Sequence, residues 1–382
     1  MKLVFLIMAL TCSTLLFGCS RDSENIADKQ FIQNYDENGH SRRTWIKGIP
    51  QRVLILYPGA AEAMLELGLD AHIEQTIGAY GSEPEHLAKR FAALPKVQAA
   101  FIPAQEEVFA LQPDLIIGWA HNFSPMELGS PQGWQEHGIG AYIVPATISH
   151  ERLTLENSVY PFIEDLGKIF AVEERAADYI ATCRKREAAV SEQLKDRGRE
   201  TAIVLQDHGR SSYSLYDAGY LINDVLDKAG LDNLIRMKTA FVGPERILAY
   251  DPDYLVYVSL PGPDGQDLSD EAVFEQVKKN RDLQSLRAVQ QGRIINIPFA
   301  EVNSVRSTVA MAAQWMRYPA WLRAGLNIDN KYREDLGLNE TVQGAKDFGS
   351  TALWSIDFEW GRICQRCGKR GRGFIRRRIF PG

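Results

Sequence analysis

Cysteine, long apolar runs and an excess of charge of one sign are all scarce in this sequence. Five cysteines in 382 residues are too few for a disulfide-built scaffold. The 43 Lys and Arg residues nearly balance the 49 Asp and Glu residues, and the net charge of −6 argues against nucleic acid as a partner of the main body. A content of 45% hydrophobic and 24% charged residues argues against disorder and against a multi-span membrane protein, and the length suggests two domains.

The N-terminus, residues 1–19, has the features of an export signal. One lysine precedes the apolar run 3–17, which is shorter than the ~20 residues of a membrane span. The next residues complete the stretch Leu-Phe-Gly-Cys, which resembles the bacterial lipoprotein signal and implies that Cys19 becomes the lipidated first residue of the mature chain. Ordinary secretion, or an uncleaved anchor with an incidental cysteine, is the alternative. The protein is therefore expected outside the cytoplasm, periplasmic or on the cell surface.

Residues 20–51 are predicted to form a flexible tether, because the stretch up to about Arg43 is rich in Asp, Asn, Glu and Ser and lacks an apolar period. The folded body is predicted to begin at Arg52. Short apolar runs follow at residues 53–56, 115–117, 141–144, 202–205, 255–258 and 294–297.

These runs alternate with helical stretches such as 60–67 and 220–229, which indicates an α/β protein with parallel sheets covered on both faces. A long helical stretch without strand signals separates two sets of three runs. Its second part, residues 173–197, would span about 37 Å as a stiff strut. It contains Cys183, which we expect to pack as a small buried group. The predicted divisions are an N-terminal lobe (52–152), linker helices (153–198), a C-terminal lobe (199–328) and a tail (329–382).

A repeated segment is the strongest internal signal. Residues 103–116 read PAQEEVFALQPDLI and residues 242–255 read VGPERILAYDPDYL. In both, a Glu precedes a Pro-Asp pair by seven residues and an apolar strand follows. The pattern predicts a short helix starting near the Glu, a turn at Pro-Asp and a buried strand. Its use at equivalent places favours a duplicated lobe over a helix-start preference used twice.

Together these features resemble the substrate-binding proteins of ABC importers that have a rigid helical hinge, the class III group serving iron–siderophores, haem and cobalamin. The resemblance covers roughly residues 52–326. Besides the repeat and the mid-chain helix, it is carried by the segments 52–62 (RVLILYPGAAE) and 220–230 (YLINDVLDKAG). It implies two Rossmann-like lobes joined by a long helix, an exported monomer and a permease dimer with its ATPase as partner.

In that family, one surface Glu from each lobe docks into arginine pockets of the permease. By position these are Glu106 and Glu245, although the neighbouring Glu107 leaves the first assignment open by one residue. Exposed carboxylates suit charge-assisted, bidentate pairing with Arg, which guides orientation. A helix-capping role alone is the alternative for either Glu.

Ligands of open α/β sheets collect beyond the carboxyl ends of the strands. Residues just past each strand are therefore candidate ligand contacts. They are Tyr57, Tyr80, Trp119, His121, His208, Arg210, Tyr213, Tyr216, Tyr257, Phe299 and Arg306.

This set combines aromatic faces, which stack on flat or conjugated ligands, with Arg, which neutralises an anionic chelate. Tyr or His could also ligate haem iron. No complete metal-site motif is present, so no cofactor or resident metal is expected, and the cargo is predicted to arrive as a pre-chelated metal complex. A ferric siderophore, cobalamin and haem all fit, and each residue individually could instead be a packing group.

No phosphate loop, dinucleotide fingerprint or nucleophile elbow is present, so no catalytic residue is predicted. A chelatase-like enzyme shares the two-lobed architecture and is the alternative of another class, although the export signal argues against it. A surface adhesin or haem scavenger without a transporter is a third possibility.

The C-terminal segment 361–382 is anomalous, with eight Lys and Arg residues and no Asp or Glu. Its Cys364 and Cys367 look like half of a zinc site, which needs about four ligands. Contact with anionic lipid headgroups is one interpretation. A read-through extension without a fold is the interpretation we favour.

Overall fold

The structure is a computed structural model that describes residues 29–77, 81–84, 86–96, 102–148, 152–194 and 198–302. The predicted signal segment and the basic tail lie outside the described residues. Eleven strands are present in the described part of the chain. They are β1 (Lys29–Tyr35), β2 (Ser41–Lys47), β3 (Val53–Ile55), β4 (Ile73–Thr76), β5 (Leu115–Gly118), β6 (Gly140–Ile143), β7 (Glu200–Asp207), β8 (Tyr213–Leu215), β9 (Leu231–Asn233), β10 (Tyr254–Ser259) and β11 (Ile294–Pro298).

Two larger sheets organise these strands. The N-terminal sheet has the order β4-β3-β5-β6 and is parallel throughout. The C-terminal sheet has the order β11-β10-β7-β8, with β9 paired to the start of β7; only β8 runs antiparallel to its neighbour. The inner strands β3, β5 and β10 are buried along their whole length, as near-continuous apolar runs predict. The predicted α/β class with parallel sheets is confirmed.

Helices pack around both sheets and between the two halves. They are α1 (Pro58–Glu66), α2 (Ala88–Ala93), α3 (Gln105–Leu111), α4 (Pro131–Glu136), α5 (Tyr160–Phe170), α6 (Glu173–Leu194), α7 (Leu221–Lys228), α8 (Pro244–Tyr250), α9 (Asp270–Lys279), α10 (Arg287–Gln290) and α11 (Phe299–Val302).

The tether assignment is wrong over residues 29–47, which form the antiparallel hairpin β1-β2. Its inner face buries Ile32 and Ile46 in the same apolar cluster as the N-terminal sheet. Asn34 on that face donates to the carbonyl of Ile143 over 2.9 Å and accepts the Ile143 N–H over 2.8 Å. These bonds satisfy backbone groups at the edge of β6, which would otherwise be open to pairing with another chain.

Helices α5 and α6 occupy the predicted linker. The 22 residues of α6 span about 33 Å, and Cys183, which belongs to this helix, is fully buried, as expected. Glu187, which interrupts the apolar face of α6, is also buried. It accepts hydrogen bonds from the Tyr160 hydroxyl of α5 and, over 2.6 Å, from Lys228 Nζ of α7. Removing one partner of such a buried pair is costly, so this contact fixes the linker to the C-terminal half.

Candidate ligand cleft and docking surface

The candidate ligand residues of the N-terminal half follow β3 and β5. Because the carboxyl ends of parallel strands meet at one sheet edge, Tyr57 and Trp119 lie together, with ring centroids 4.8 Å apart and planes at 89°. The ring of His121 lies 5.3 Å beyond Trp119. Tyr57 is fully buried, Trp119 is half-buried and His121 is exposed. Tyr57 therefore supports Trp119 from below, while Trp119 and His121 present ring surface to the solvent.

A short turn holds the two outer rings. Residues Ala120–Phe123 form a single 3-10 turn, and the backbone N–H of Trp119 donates to Asn122 Oδ1 over 2.7 Å. Asn122 is buried, so the turn is anchored in the fold. Although His121 keeps exposed surface, the protein atoms around its ring lower its pKa by desolvation. The imidazole is therefore neutral at pH 7 and keeps a nitrogen lone pair.

In the C-terminal half, the matching position is the loop after β7. His208 Nε2 lies 2.7 Å from Ser214 Oγ. Its ring meets Phe241 edge to face, with centroids 4.9 Å apart. Desolvation lowers the pKa of His208, and the neighbouring Asp207 partly opposes the shift. Phe241 is 55% exposed, a large unburied area for an aromatic ring. The strand-end rule missed Phe241, which reaches this site from the loop before α8.

Arg210 lies at the tip of the turn between β7 and β8. Gly209, Arg210 and Ser211 have consecutive φ angles of 73°, 54° and 55°, all in the left-handed region. This conformation costs a non-glycine residue about 1 kcal/mol or more. The turn leaves Arg210 exposed beyond the sheet edge, where a guanidinium can meet an anionic ligand.

Three predicted tyrosines of the C-terminal half are buried, with their hydroxyls engaged. Tyr213 donates to Asp282 over 2.8 Å, Tyr216 donates to Gln206 over 2.7 Å, and Tyr257 accepts from Gln276 over 3.1 Å. Burial raises the pKa of Tyr213 and of Tyr257. Together with Tyr57, these side chains support the sheet edge from inside, and their burial does not favour direct contact with a ligand.

The remaining predicted contacts divide between the fold and the undescribed part of the chain. Phe299, which directly follows β11, is half-buried and packs against the apolar cluster of the C-terminal sheet. Tyr80 and Arg306 lie outside the described residues.

A direct contact joins loops of the two halves. Ser82, in the segment after β4, donates through its hydroxyl to Gln266 Oε1 over 3.2 Å. The hydroxyl oxygen of Ser82 also accepts the backbone N–H of Asp267 over 3.0 Å. Residues 264–267 follow β10, so both loops extend from the carboxyl edges of their sheets. Within the described residues, no three His, Cys, Asp or Glu side chains converge to hold a metal ion.

The repeated segment forms a matched pair of helices, α3 and α8. Each has seven residues and leads into a parallel strand, so its N-terminus lies at the carboxyl edge of its sheet. Glu106 and Glu245 are both the second helical residue, and both are exposed. Glu107 instead caps α3, since its carboxylate accepts the Ala104 N–H over 2.7 Å. No hydrogen bond or ion pair of the Glu106 carboxylate is seen among the described residues, which favours Glu106 over Glu107 as the available group.

The Pro-Asp pairs connect each of these helices to the start of a strand. Asp114 accepts the backbone N–H groups of Gln51 and Arg52 over 2.6 and 3.0 Å, and Asp253 accepts the N–H and hydroxyl of Thr201 over 2.9 and 2.7 Å. An arginine also donates hydrogen bonds to the carbonyls at the end of each helix. Arg52 donates to the last carbonyls of α3, and Arg287 donates to the carbonyl of the C-cap residue of α8. The two repeats therefore share one construction.

The comparisons with known proteins identify the family. A family model described as periplasmic binding protein matches residues 53–301, and the chain belongs to this family. The family places the protein outside the cytoplasm. A search of curated protein sequences finds no significant match. None of the helices in the described ranges is both long and apolar enough to cross a membrane.

Solved structures share the fold at low sequence identity. A periplasmic binding protein from Veillonella parvula is 23% identical with a TM-score of 0.65, covering 76% of this chain and 97% of its own. A protein of the Fe3+-hydroxamate transport system of Saccharomonospora viridis is 22% identical with a TM-score of 0.60, covering 75% and 97%. The petrobactin-binding protein YclQ from Bacillus subtilis is 18% identical with a TM-score of 0.56, covering 79% and 99%. The family model confirms the predicted resemblance to periplasmic substrate-binding proteins, and these structures share the fold.

Proposed function

We propose that this protein is the solute-binding component of an ABC importer and that it captures a ferric siderophore-type chelate for delivery to the permease. The observation that carries the importer role is the matched pair of exposed carboxylates, Glu106 and Glu245, at the same position of two equivalent helices. Arginine recognises carboxylates with planar geometry, so two separated carboxylates would orient both halves on a two-fold permease. The protein makes and breaks no covalent bonds in this role.

The chelate would lie between the two halves, residues 52–152 and 199–328, acting as lobes around the linker. Trp119 and His121 from one side, and His208, Arg210 and Phe241 from the other, are the contacts that we propose. Their exposed ring faces suit the conjugated or apolar parts of a chelate, and the guanidinium suits its negative charge. The names of the Saccharomonospora and Bacillus structures, which refer to iron hydroxamate and petrobactin, support a ferric chelate over cobalamin or haem.

We further propose that Cys19 is lipidated and holds the exported chain at a membrane. Mass spectrometry of the mature N-terminus tests this directly. A diacylglyceryl-modified cysteine as the first residue is expected. An N-terminus at another residue, or an unmodified cysteine, contradicts the anchor and leaves the cargo proposal untouched.

The cargo is tested by purifying the protein from its native envelope and recording its absorbance and metal content. A ferric-chelate charge-transfer band with one iron per chain is the expected result. Corrin or porphyrin bands with cobalt or haem iron would instead assign the two alternative cargoes. Turnover of a free porphyrin with metal would favour the chelatase alternative and overturn the proposal.

A further inference from the structure

The two strands of the N-terminal hairpin carry an unusual charge. Their sequences, KQFIQNY and SRRTWIK, contain four Lys and Arg residues and no Asp or Glu. The whole chain, in contrast, has a net charge of −6. The inner face covers the edge of β6 and is mostly apolar or amide-bearing; it also holds Arg42, whose guanidinium donates to the side-chain oxygens of Gln132 and Gln135. The other three cations, Lys29, Arg43 and Lys47, lie on the hairpin's outer face.

Strand register defines that outer face. Lys29 lies opposite Lys47, Phe31 opposite Trp45 and Gln33 opposite Arg43. We call these six residues the hairpin patch. They alternate with the buried positions along both strands, as the period of two requires. Two lysines directly opposite each other place like charges on the same face of the hairpin.

Cations and aromatic rings are interleaved within the hairpin patch. Lys29 Nζ lies 4.1 Å from the ring centre of Trp45, and the Arg43 guanidinium lies 4.0 Å from that of Phe31. Phe31 remains 43% exposed. Trp with Lys and Arg is the combination that settles at the boundary between lipid headgroups and acyl chains, where the cation meets phosphate and the ring meets hydrocarbon.

Position in the chain adds a second argument, which rests on the proposed lipidation of Cys19. Nine residues separate Cys19 from Lys29, and even a fully extended segment of that length reaches only about 30 Å. The hairpin patch shares no residue with the proposed docking pair Glu106 and Glu245.

We propose that the hairpin patch is a membrane-contact surface that binds anionic phospholipid. The interaction does not depend on the lipid anchor or on the cargo. It holds the body of the protein against the bilayer surface through phosphate contacts with Lys29, Arg43 and Lys47 and through shallow insertion of Phe31 and Trp45.

The test is sedimentation of the chain from residue 20 onward, which lacks the signal, with vesicles of phosphatidylcholine alone or with 30% phosphatidylglycerol. The hairpin variant is Lys29→Gln/Arg43→Gln/Lys47→Gln. The matched control is Lys278→Gln/Lys279→Gln/Arg281→Gln, which removes the same charge from another surface. It also removes a cation that is stacked on an aromatic ring, because Lys278 Nζ lies 4.6 Å from the ring centre of Phe274. The basic tail is present in all proteins, so its contribution cancels.

The expected result is binding to the anionic vesicles that weakens about tenfold or more in the hairpin variant and stays near the unaltered level in the control. Equal binding of the two variants overturns the proposal. A second measurement leaves the surface charge unchanged. Lipids brominated in the acyl chain should quench the tryptophan fluorescence of the unaltered protein more than that of Trp45→Phe. Equal quenching contradicts insertion of Trp45, and an unaltered protein that ignores anionic vesicles overturns the proposal outright.

Discussion

The two sheets share one construction at helices α3 and α8 and differ at their edges. In both, an exposed Glu opens a seven-residue helix that ends in a left-handed residue, Gln112 or Asp251, before Pro-Asp. The N-terminal sheet is closed at β6 by a separate hairpin, whereas the C-terminal sheet ends in its own antiparallel strand β8. The part that the two halves share thus carries the two glutamates that we propose for docking, whereas the edges of the two sheets are closed in different ways.

The largest effect is expected from reversing the charge of the exposed glutamate in both halves. Glu106→Lys combined with Glu245→Lys should reduce uptake by more than about tenfold, because the two proposed attractive contacts with permease arginines would become repulsive. Affinity for the cargo should stay near the unaltered value. Transport of the labelled chelate into cells and equilibrium binding to the purified protein measure the two quantities.

Glu174→Lys is the matched control, since Glu174 is also an exposed second residue of a helix but belongs to the linker helix α6. It should leave uptake unchanged. Loss of cargo binding in the double variant, or an equal transport defect in Glu174→Lys, contradicts the docking role.

The substitution Ile46→Ala tests whether the hairpin stabilises the edge of the N-terminal sheet. Ile46 is fully buried between the hairpin and the N-terminal sheet. Its truncation should lower the free energy of unfolding by about 2–5 kcal/mol. Urea unfolding measures this, with Ile49→Ala as control, because Ile49 is 45% exposed and should change the value by less than about 0.5 kcal/mol. Similar values for the two variants would mean that the hairpin does not support the sheet.

The two Pro-Asp contacts provide a quantitative comparison. Asp114→Ala should cost about 1–2 kcal/mol, and Asp253→Ala more, since Asp253 also pairs with Arg287 over 2.9 Å. The bond from the Thr201 backbone is the largest cause that lowers the pKa of Asp253. A lowered pKa stabilises the fold above the ordinary Asp value of about 3.9, and the contribution is lost as pH falls through the folded value.

Unfolding of Asp253→Asn measured between pH 6 and 2 checks that sign. The variant should lose less stability on acidification than the unaltered protein does. A parallel pH dependence in the two proteins contradicts the assignment of Asp253.

The smallest effects concern the two candidate ring surfaces. Trp119→Ala and Phe241→Ala should each weaken cargo binding about three- to tenfold, the amount expected from one stacked ring. Met237→Ala is the control, because Met237 is 78% exposed in the same loop as Phe241. If only one ring matters, the cargo is held mainly by one half.

Apolar strands and the repeat were predictable because their signal is local. Runs such as residues 53–56 and 255–258 bury both faces, so hydrophobicity alone locates them. The hairpin escaped prediction because Asn34 and Thr44 are polar yet face inward, where they bond to β6, while Phe31 and Trp45 face outward. The two strands therefore lack the alternation of apolar and polar residues by which a half-buried strand is predicted.

The positions of the candidate residues at the strand ends were predictable from the sequence, but the directions in which their side chains point were not. The strand-end rule finds Trp119 and His208, but it cannot tell which of two adjacent side chains turns inward. It therefore includes Tyr213 and Tyr257, whose hydroxyls find partners in α9 and the turn after it. Phe241 lies in a loop before a helix, and its place in the candidate site is seen only in the structure, where this loop brings its ring against His208.

A titration of the purified chain with a ferric hydroxamate siderophore, followed by tryptophan fluorescence, tests the central claim most directly. The account predicts saturable one-to-one quenching that weakens in Trp119→Ala, together with no response to the iron-free siderophore. Saturation by haem or cobalamin but not by any ferric chelate, or an unchanged titration in Trp119→Ala, would contradict it.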